Sequence, residues 1–313
     1  MSETLVHGIL DNDHGSISKA ITNIENDLTS PDVLLGELYK YSEKSLRIGI
    51  TGPPGAGKST ITDALIKLLL KIDKTIGVIA VDPTSPFSGG SLLGDRIRMN
   101  KYASDQRVFI RSMGSDGNLG GLARKTQEVG DILAASGKDY ILYETVGVGQ
   151  SEHDIVKVAD LCIVVLVPES GDEVQMMKAG LIEIGDIFII NKSDRDGANR
   201  LNGILKNILH HFNIKGKIEP PIFNTIGTEG SGISELFSGI NTYFTTVSKN
   251  GNLNNRRLNR YRQRVLGSIR EKLESTFWTD DKTLLLENAT KNLEQISLAP
   301  HEMAQQILNQ SKK

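Results

Sequence analysis

The chain has 313 residues, and 36 lysines and arginines against 38 aspartates and glutamates leave a net charge of −2. That length implies one main domain with additions, and that balance argues against nucleic acid or an anionic membrane as a partner. No apolar run approaches the ~20 residues of a membrane span. The opening MSETLVHGILDNDHGS lacks the basic and apolar regions of a secretory leader. The single cysteine, Cys162, lies in the apolar run LCIVVLVP, so no internal disulfide forms and a buried strand residue is expected. A cytoplasmic location follows as the expectation.

In chain order, residues 1–43 read as a polar helical extension, with SISKAITNIENDL and PDVLLGELYKY carrying apolar residues at helical spacing. From Leu46 the pattern changes to short β-branched runs separated by helical stretches: RIGITG, TIGVIAVD, RVFIRSM, DYILYETVG, LCIVVLVP, IFIINKSD and PPIFNTIG. Nearly continuous apolar strands with amphipathic helices between them predict a doubly wound α/β domain over 44–248, its mostly parallel sheet covered on both faces. A ligand is then expected beyond the carboxyl ends of the strands. After Ser248 the β pattern stops, and 249–313 reads as helical. Leu258, Tyr261, Val265, Ile269, Leu273 and Phe277 form a stripe on an otherwise basic helix, followed by helices around TLLLENATKNLEQI and PHEMAQQILNQ.

GPPGAGKST follows the first strand and opens a helix, the context that a phosphate-binding loop requires. Gly52, Pro53, Pro54, Gly55, Ala56, Gly57, Lys58, Ser59 and Thr60 would wrap backbone N–H groups round the phosphates. Lys58 would reach the outer phosphates and Ser59 would place a hydroxyl on Mg²⁺. NKSD closes the strand IFIINKSD, bringing Asn191, Lys192 and Asp194 to the same edge. A carboxylate there accepts from the ring N–H and the exocyclic amine of guanine, a donor pair that adenine lacks, and such polar sites discriminate by about 10⁴. The last strand should bring backbone near Thr225 and Ile226 against the base. Asp82 and Glu144 end two strands, and Asp95 lies in the Gly-rich stretch FSGGSLLGDRIRM. With Ser59 these hard oxygen donors suit Mg²⁺, and Lys58, Asp82 and Glu144 are the candidate catalytic groups. Bound GTP or GDP with Mg²⁺ is the expected state. His210 and His211 are adjacent on a helix, so they do not converge on one metal.

The strings GPPGAGKST, VDPTSPFSGGSLLGDRIRM, ETVGVGQSE, GDEVQMMKAG and NKSD resemble the MeaB/ArgK family, the methylmalonyl-CoA mutase-associated GTPases, from about Leu46 to Leu236. The resemblance implies a P-loop GTPase of the class that also holds the nickel-insertion and signal-recognition GTPases. It implies that Asp82, Asp95 and Glu144 form the acidic metal shell, with ETVG standing where Ras-like proteins have DxxG. It also implies that Gly171–Gly180, including Lys178, is an extra switch, and that the C-terminal helices form a homodimer. Packing of that stripe on its own domain is the competing reading. The implied function is a GTP-hydrolysing chaperone that gates cofactor loading of an adenosylcobalamin-dependent acyl-CoA mutase and protects it. Tyr143, His153 and NTIG depart from the family pattern. Two rival functions belong to other classes. A P-loop kinase linked to amino-acid transport would need an acceptor base that the sequence does not single out. A nickel-type metallochaperone would use a Cys- or His-rich motif.

Overall fold

The computed structural model describes residues 2–26, 32–83, 100–102, 104–115, 121–145, 151–170, 180–211, 219–293 and 296–309. All seven expected strands form: β1 (Leu46–Thr51), β2 (Ile76–Pro83), β3 (Val108–Ser115), β4 (Tyr140–Thr145), β5 (Leu161–Leu166), β6 (Ile187–Asn191) and β7 (Ile222–Thr225). They make one sheet in the order β3-β2-β4-β1-β5-β6-β7, and every pairing is parallel. The chain works outward from β1 on one side, returns, and then builds the other side. The carboxyl end of β1 is therefore the point at which the winding reverses, where ligands of such sheets bind.

Both faces are covered. One carries α4 (Lys58–Lys71) and α9 (Ile233–Lys249) over Ile48, Ile50, Leu142 and Ile163. Facing Ile79, Ile141 and Tyr143 on the other side are α5 (Gly121–Ala135) and α6 (Ser151–Val158). Three N-terminal helices complete that second cover: α1 (Ser2–Leu10), α2 (His14–Glu25) and α3 (Asp32–Tyr39). Ile9, Ile17, Ile21 and Leu38 are each fully buried there. Burial of one such side chain is worth about 1.5–3 kcal/mol before the ordering entropy is subtracted. The N-terminal extension is thus part of the core of this unit. The short α7 (Leu181–Ile184) and α8 (Ala198–His211) close a third cluster over Val164, Leu166, Phe188 and Ile190.

The chain divides into two compact units, residues 1–257 and 258–313. Helix α10 (Asn252–Phe277) begins in the first and runs into the second, which also holds α11 (Asp280–Ala289) and α12 (Pro300–Asn309). In the first unit the root of α10 is anchored by two arginine forks. Arg257 donates to the Asp160 carboxylate (2.9 Å from Nη2), and Arg256 donates to that of Asp186 (2.7 Å from Nη1). In the second unit the stripe Leu258, Tyr261, Val265, Ile269 and Leu273 is 40–65% exposed. Among the described residues no helix is long and apolar enough to cross a membrane.

Candidate functional site

Strand β1 ends at Thr51 and α4 starts at Lys58, so residues 52–57 must turn the chain within one short loop. Gly57 holds φ 86°, and a Cβ there would stand 2.3 Å from Asn191 Nδ2. Only glycine fits the conformation and the space together. The N-terminal turn of α4 then directs backbone N–H groups, with the partial positive charge of a helix start, at the winding reversal.

Asn191 joins the two motifs physically. Its Nδ2 donates to the Ala56 carbonyl in the loop at 2.9 Å. Its Oδ1 accepts from Thr225 Oγ1 at 3.2 Å and from the Gly227 N–H at 3.0 Å. Lys192 Nζ donates to the Gly55 carbonyl at 2.9 Å, and the Ser193 N–H donates to the Thr225 carbonyl at 3.1 Å. These bonds hold Lys192 in the left-handed region at φ 54°, a conformation that costs a residue with a Cβ about 1–2 kcal/mol. The glycine loop, the NKSD turn and the end of β7 are thus one cross-braced unit, with Asp194 exposed at its tip.

The candidate charged groups meet at the loop. Lys58 is buried, its ammonium donating to the Gly52 carbonyl at 2.8 Å and the Pro53 carbonyl at 2.9 Å. The Ser59 hydroxyl donates to Glu144 Oε1, so the helix start and the end of β4 are in direct contact. Beneath them, Thr145 Oγ1 donates to Thr51 Oγ1 at 3.0 Å and ties β4 to β1. Asp82 is the next-to-last residue of β2 and stands two positions beyond Ala80, the register partner of Glu144. Asp95, the Gly-rich stretch around it, and Lys178 with most of the Gly171–Gly180 segment lie outside the described residues. Pro54 and Gly55 are exposed, Pro53 and Thr60 half-buried, Thr225 buried and Ile226 half-buried.

Sequence reasoning missed the Gly227 N–H, the Thr51–Thr145 bond, and an ion pair between Glu169 and Arg195. Thr145 was legible beside Glu144, since a β-branched hydroxyl residue ending a buried strand needs a partner. The other two involve residues brought together only by the fold. Cys162, buried as expected, has its thiol pushed well above the usual range by burial, which makes it a packing residue and not a nucleophile.

A glycine loop at the winding reversal of a parallel sheet, braced to an NKSD turn, defines a P-loop GTPase. Comparison with known proteins narrows the class. The family profile of methylmalonyl-CoA mutase-associated GTPase MeaB matches residues 17–282, and the chain belongs to that family. It is 44% identical to a Pyrococcus horikoshii protein carrying a GTPase name, over 88% of this chain and 89% of that one. It is 32% identical to the mouse methylmalonic aciduria type A homolog, a mitochondrial protein, over 88% of this chain and 71% of that one. In fold it is similar to a crystal structure of a LAO/AO transport system kinase, with TM-score 0.75, 24% identity and coverage of 100% of this chain and 98% of that one.

Proposed function

We propose that this GTPase binds GTP and GDP with Mg²⁺ and hydrolyses GTP to GDP and phosphate. The cycle serves as a chaperone switch that gates cofactor loading of an adenosylcobalamin-dependent acyl-CoA mutase and protects it. The protein works as a homodimer in the cytoplasm. The observation that carries the nucleotide reading is the Asn191 brace, which fixes a guanine-type carboxylate motif against a phosphate-type loop.

In this reading Asp194 accepts guanine's two donors, while Gly52 to Thr60 enclose the phosphates. Thr225 and Ile226 supply backbone beside the base. The Lys58 ammonium exchanges two loop carbonyls for phosphate oxygens, a move of the side-chain end alone, and so stabilises charge that grows during transfer. The Ser59 hydroxyl and Glu144 carboxylate are hard oxygen donors already in contact. Together they fit Mg²⁺, with Asp82 and Asp95 as the further acids of its shell. Bound there, Mg²⁺ would neutralise charge on the outer phosphates. The mutase client rests on the family's description and on the mouse relative's name. Dimerisation rests on the exposed stripe of α10, apolar side chains that a second copy would bury.

The test is phosphate release with Mg²⁺ from GTP and from ATP, alone and with an adenosylcobalamin-dependent acyl-CoA mutase. Slow GTP turnover is expected alone, on the order of minutes or longer per cycle by analogy with unassisted switch GTPases. The mutase should accelerate it, and Lys178→Ala should blunt the acceleration while leaving the basal rate alone. Equal hydrolysis of ATP, or no response to any such mutase, would contradict the reading.

A further inference from the structure

The NKSD turn is braced on two sides by bonds already described, to the glycine loop and to β7. A third side faces β5. That strand ends at Leu166 and leads into a short 3₁₀ turn, Pro168–Ser170. Arg195 Nη1 donates to Glu169 Oε1. Two residues on, a Cβ added at Gly197 would lie 3.7 Å from Pro168 Cβ, so the backbone passes beside the turn with room for one methyl group next to the ion pair. The Arg195 N–H also donates to the Lys192 carbonyl at 3.0 Å, which closes the turn on itself. Glu169 feels both cations of this turn. Its carboxyl is held below the usual range first by the Arg195 hydrogen bond and then by its own backbone N–H, against the cost of burial, with the Arg195 and Lys192 charges adding to the same direction.

Asp194 stands between these supports, with Ser193 tied to β7 on one side and Arg195 tied to the β5 turn on the other. A carboxylate that must accept two hydrogen bonds from one flat base depends on the direction of its own backbone. That direction is set by its neighbours, since Asp194 itself is exposed at the loop tip. We propose that Glu169 and Arg195 are a positioning pair for guanine recognition. The salt bridge clamps the NKSD turn to the end of β5, fixes where Asp194 presents its carboxylate, and slows release of guanine nucleotides. The inference rests on the reading of Asp194 as the guanine acceptor. Both partners are half exposed, so the effect is that of a surface ion pair and is a few-fold in rate and affinity.

The test is the dissociation rate and equilibrium affinity of a fluorescent GDP analogue, with the matching ADP analogue as control, on the full chain. Wild type is compared with Glu169→Gln, Arg195→Ala and the exchanged pair Glu169→Arg/Arg195→Glu. Each single substitution should speed GDP release about 2–5-fold, the range of an exposed ion pair. Weak ADP binding should not move, so the GDP-to-ADP preference falls. The exchanged pair should recover most of the loss, and added salt should weaken the wild type towards the single variants. Single variants that release GDP at the wild-type rate, or that lose GDP and ADP affinity in equal proportion, would overturn the proposal. Wild-type protein that binds the two analogues equally would instead refute the guanine reading itself, before any variant is compared.

Discussion

Among the described residues at the P-loop, Lys58 and Glu144 each already have a protein partner that a nucleotide or metal would displace. Lys58 sits on two carbonyls, and Ser59 sits on Glu144. Lys58→Ala should therefore cut GTP turnover by at least ~10²-fold, the usual loss when one stabilising group is removed from developing charge. Glu144→Gln keeps an acceptor for the Ser59 hydroxyl but removes the charge. It should spare GDP binding within a few-fold while abolishing Mg²⁺-dependent phosphate release, and retention of the native rate would remove Glu144 from the mechanism. A different charge carries a pH dependence. Lys138 is almost fully buried, donates to the Gln106 carbonyl at 3.1 Å, and has its ammonium pulled down to about 8, by burial first and against the attraction of Asp105. The other groups facing it are His14, itself lowered by burial and by Lys138, and Asn12. Both also reach Gln106, so the carbonyl keeps partners if Lys138 is lost. The folded pKa lies below the ordinary 10.5, so the unfolded chain binds more protons between the two values. This residue's contribution to stability must then rise with pH from about 8 upward, and its full cost is present below that. Lys138→Met should be more stable than wild type at neutral pH by an amount that shrinks towards pH 10, as urea unfolding at stepped pH will show.

Among the elements, the seven strands were legible because each is a short β-branched run of nearly continuous apolar residues, the pattern of a parallel sheet buried on both faces. The phosphate loop and NKSD turn were legible because their chemistry is local, carried by consecutive residues. What could not be read was contact between distant segments. The N-terminal extension looked polar, and α1 was not distinguished as a helix. Yet Ile9, Ile17 and Ile21 are spaced to fill the second face of the sheet, and their role exists only once α5 is beside them. Tyr143 was a departure from an expected apolar position for the same reason. It is fully buried, and its hydroxyl occupies space that Gly130 of α5 leaves open: a Cβ at Gly130 would stand 2.0 Å from that oxygen. Gly130→Ala should gain about 1 kcal/mol from helix propensity and lose more, about 1–3 kcal/mol, to overpacking. The net should be destabilising in the wild type. In a Tyr143→Phe background, where the oxygen is gone, the penalty should shrink or reverse. Equal effects in both backgrounds would show that the helix, not the hydroxyl, decides.

At the scale of the whole molecule, the two units are joined by one continuous helix whose ends do different work. Its root belongs to the core of the first unit: Leu253 is buried there, and Arg256 and Arg257 neutralise Asp186 and Asp160 at the amino-terminal edge of the sheet. A chain cut near Ser248 would lose all three and leave the fully buried Asp160 without its fork, a loss of about 1–3 kcal/mol for that group alone. Assembly is therefore better tested by substitution than by truncation. Val265→Asp with Ile269→Asp, both partly exposed, should leave the first unit folded and GDP binding intact while light scattering moves from a dimer mass to a monomer mass. A wild-type chain that is already monomeric at micromolar concentration would refute the dimer.

In the proposed function the NKSD turn, braced by Asn191 to the phosphate loop, selects guanine through Asp194. Titration calorimetry of GTP and ATP against the wild type and Asp194→Asn measures this directly. The wild type should bind GTP far more tightly than ATP. The variant should lose GTP affinity and gain affinity for xanthosine triphosphate, whose base offers an acceptor where guanine offers an amine. Equal binding of GTP and ATP by the wild type, or unchanged GTP affinity in the variant, would contradict the account.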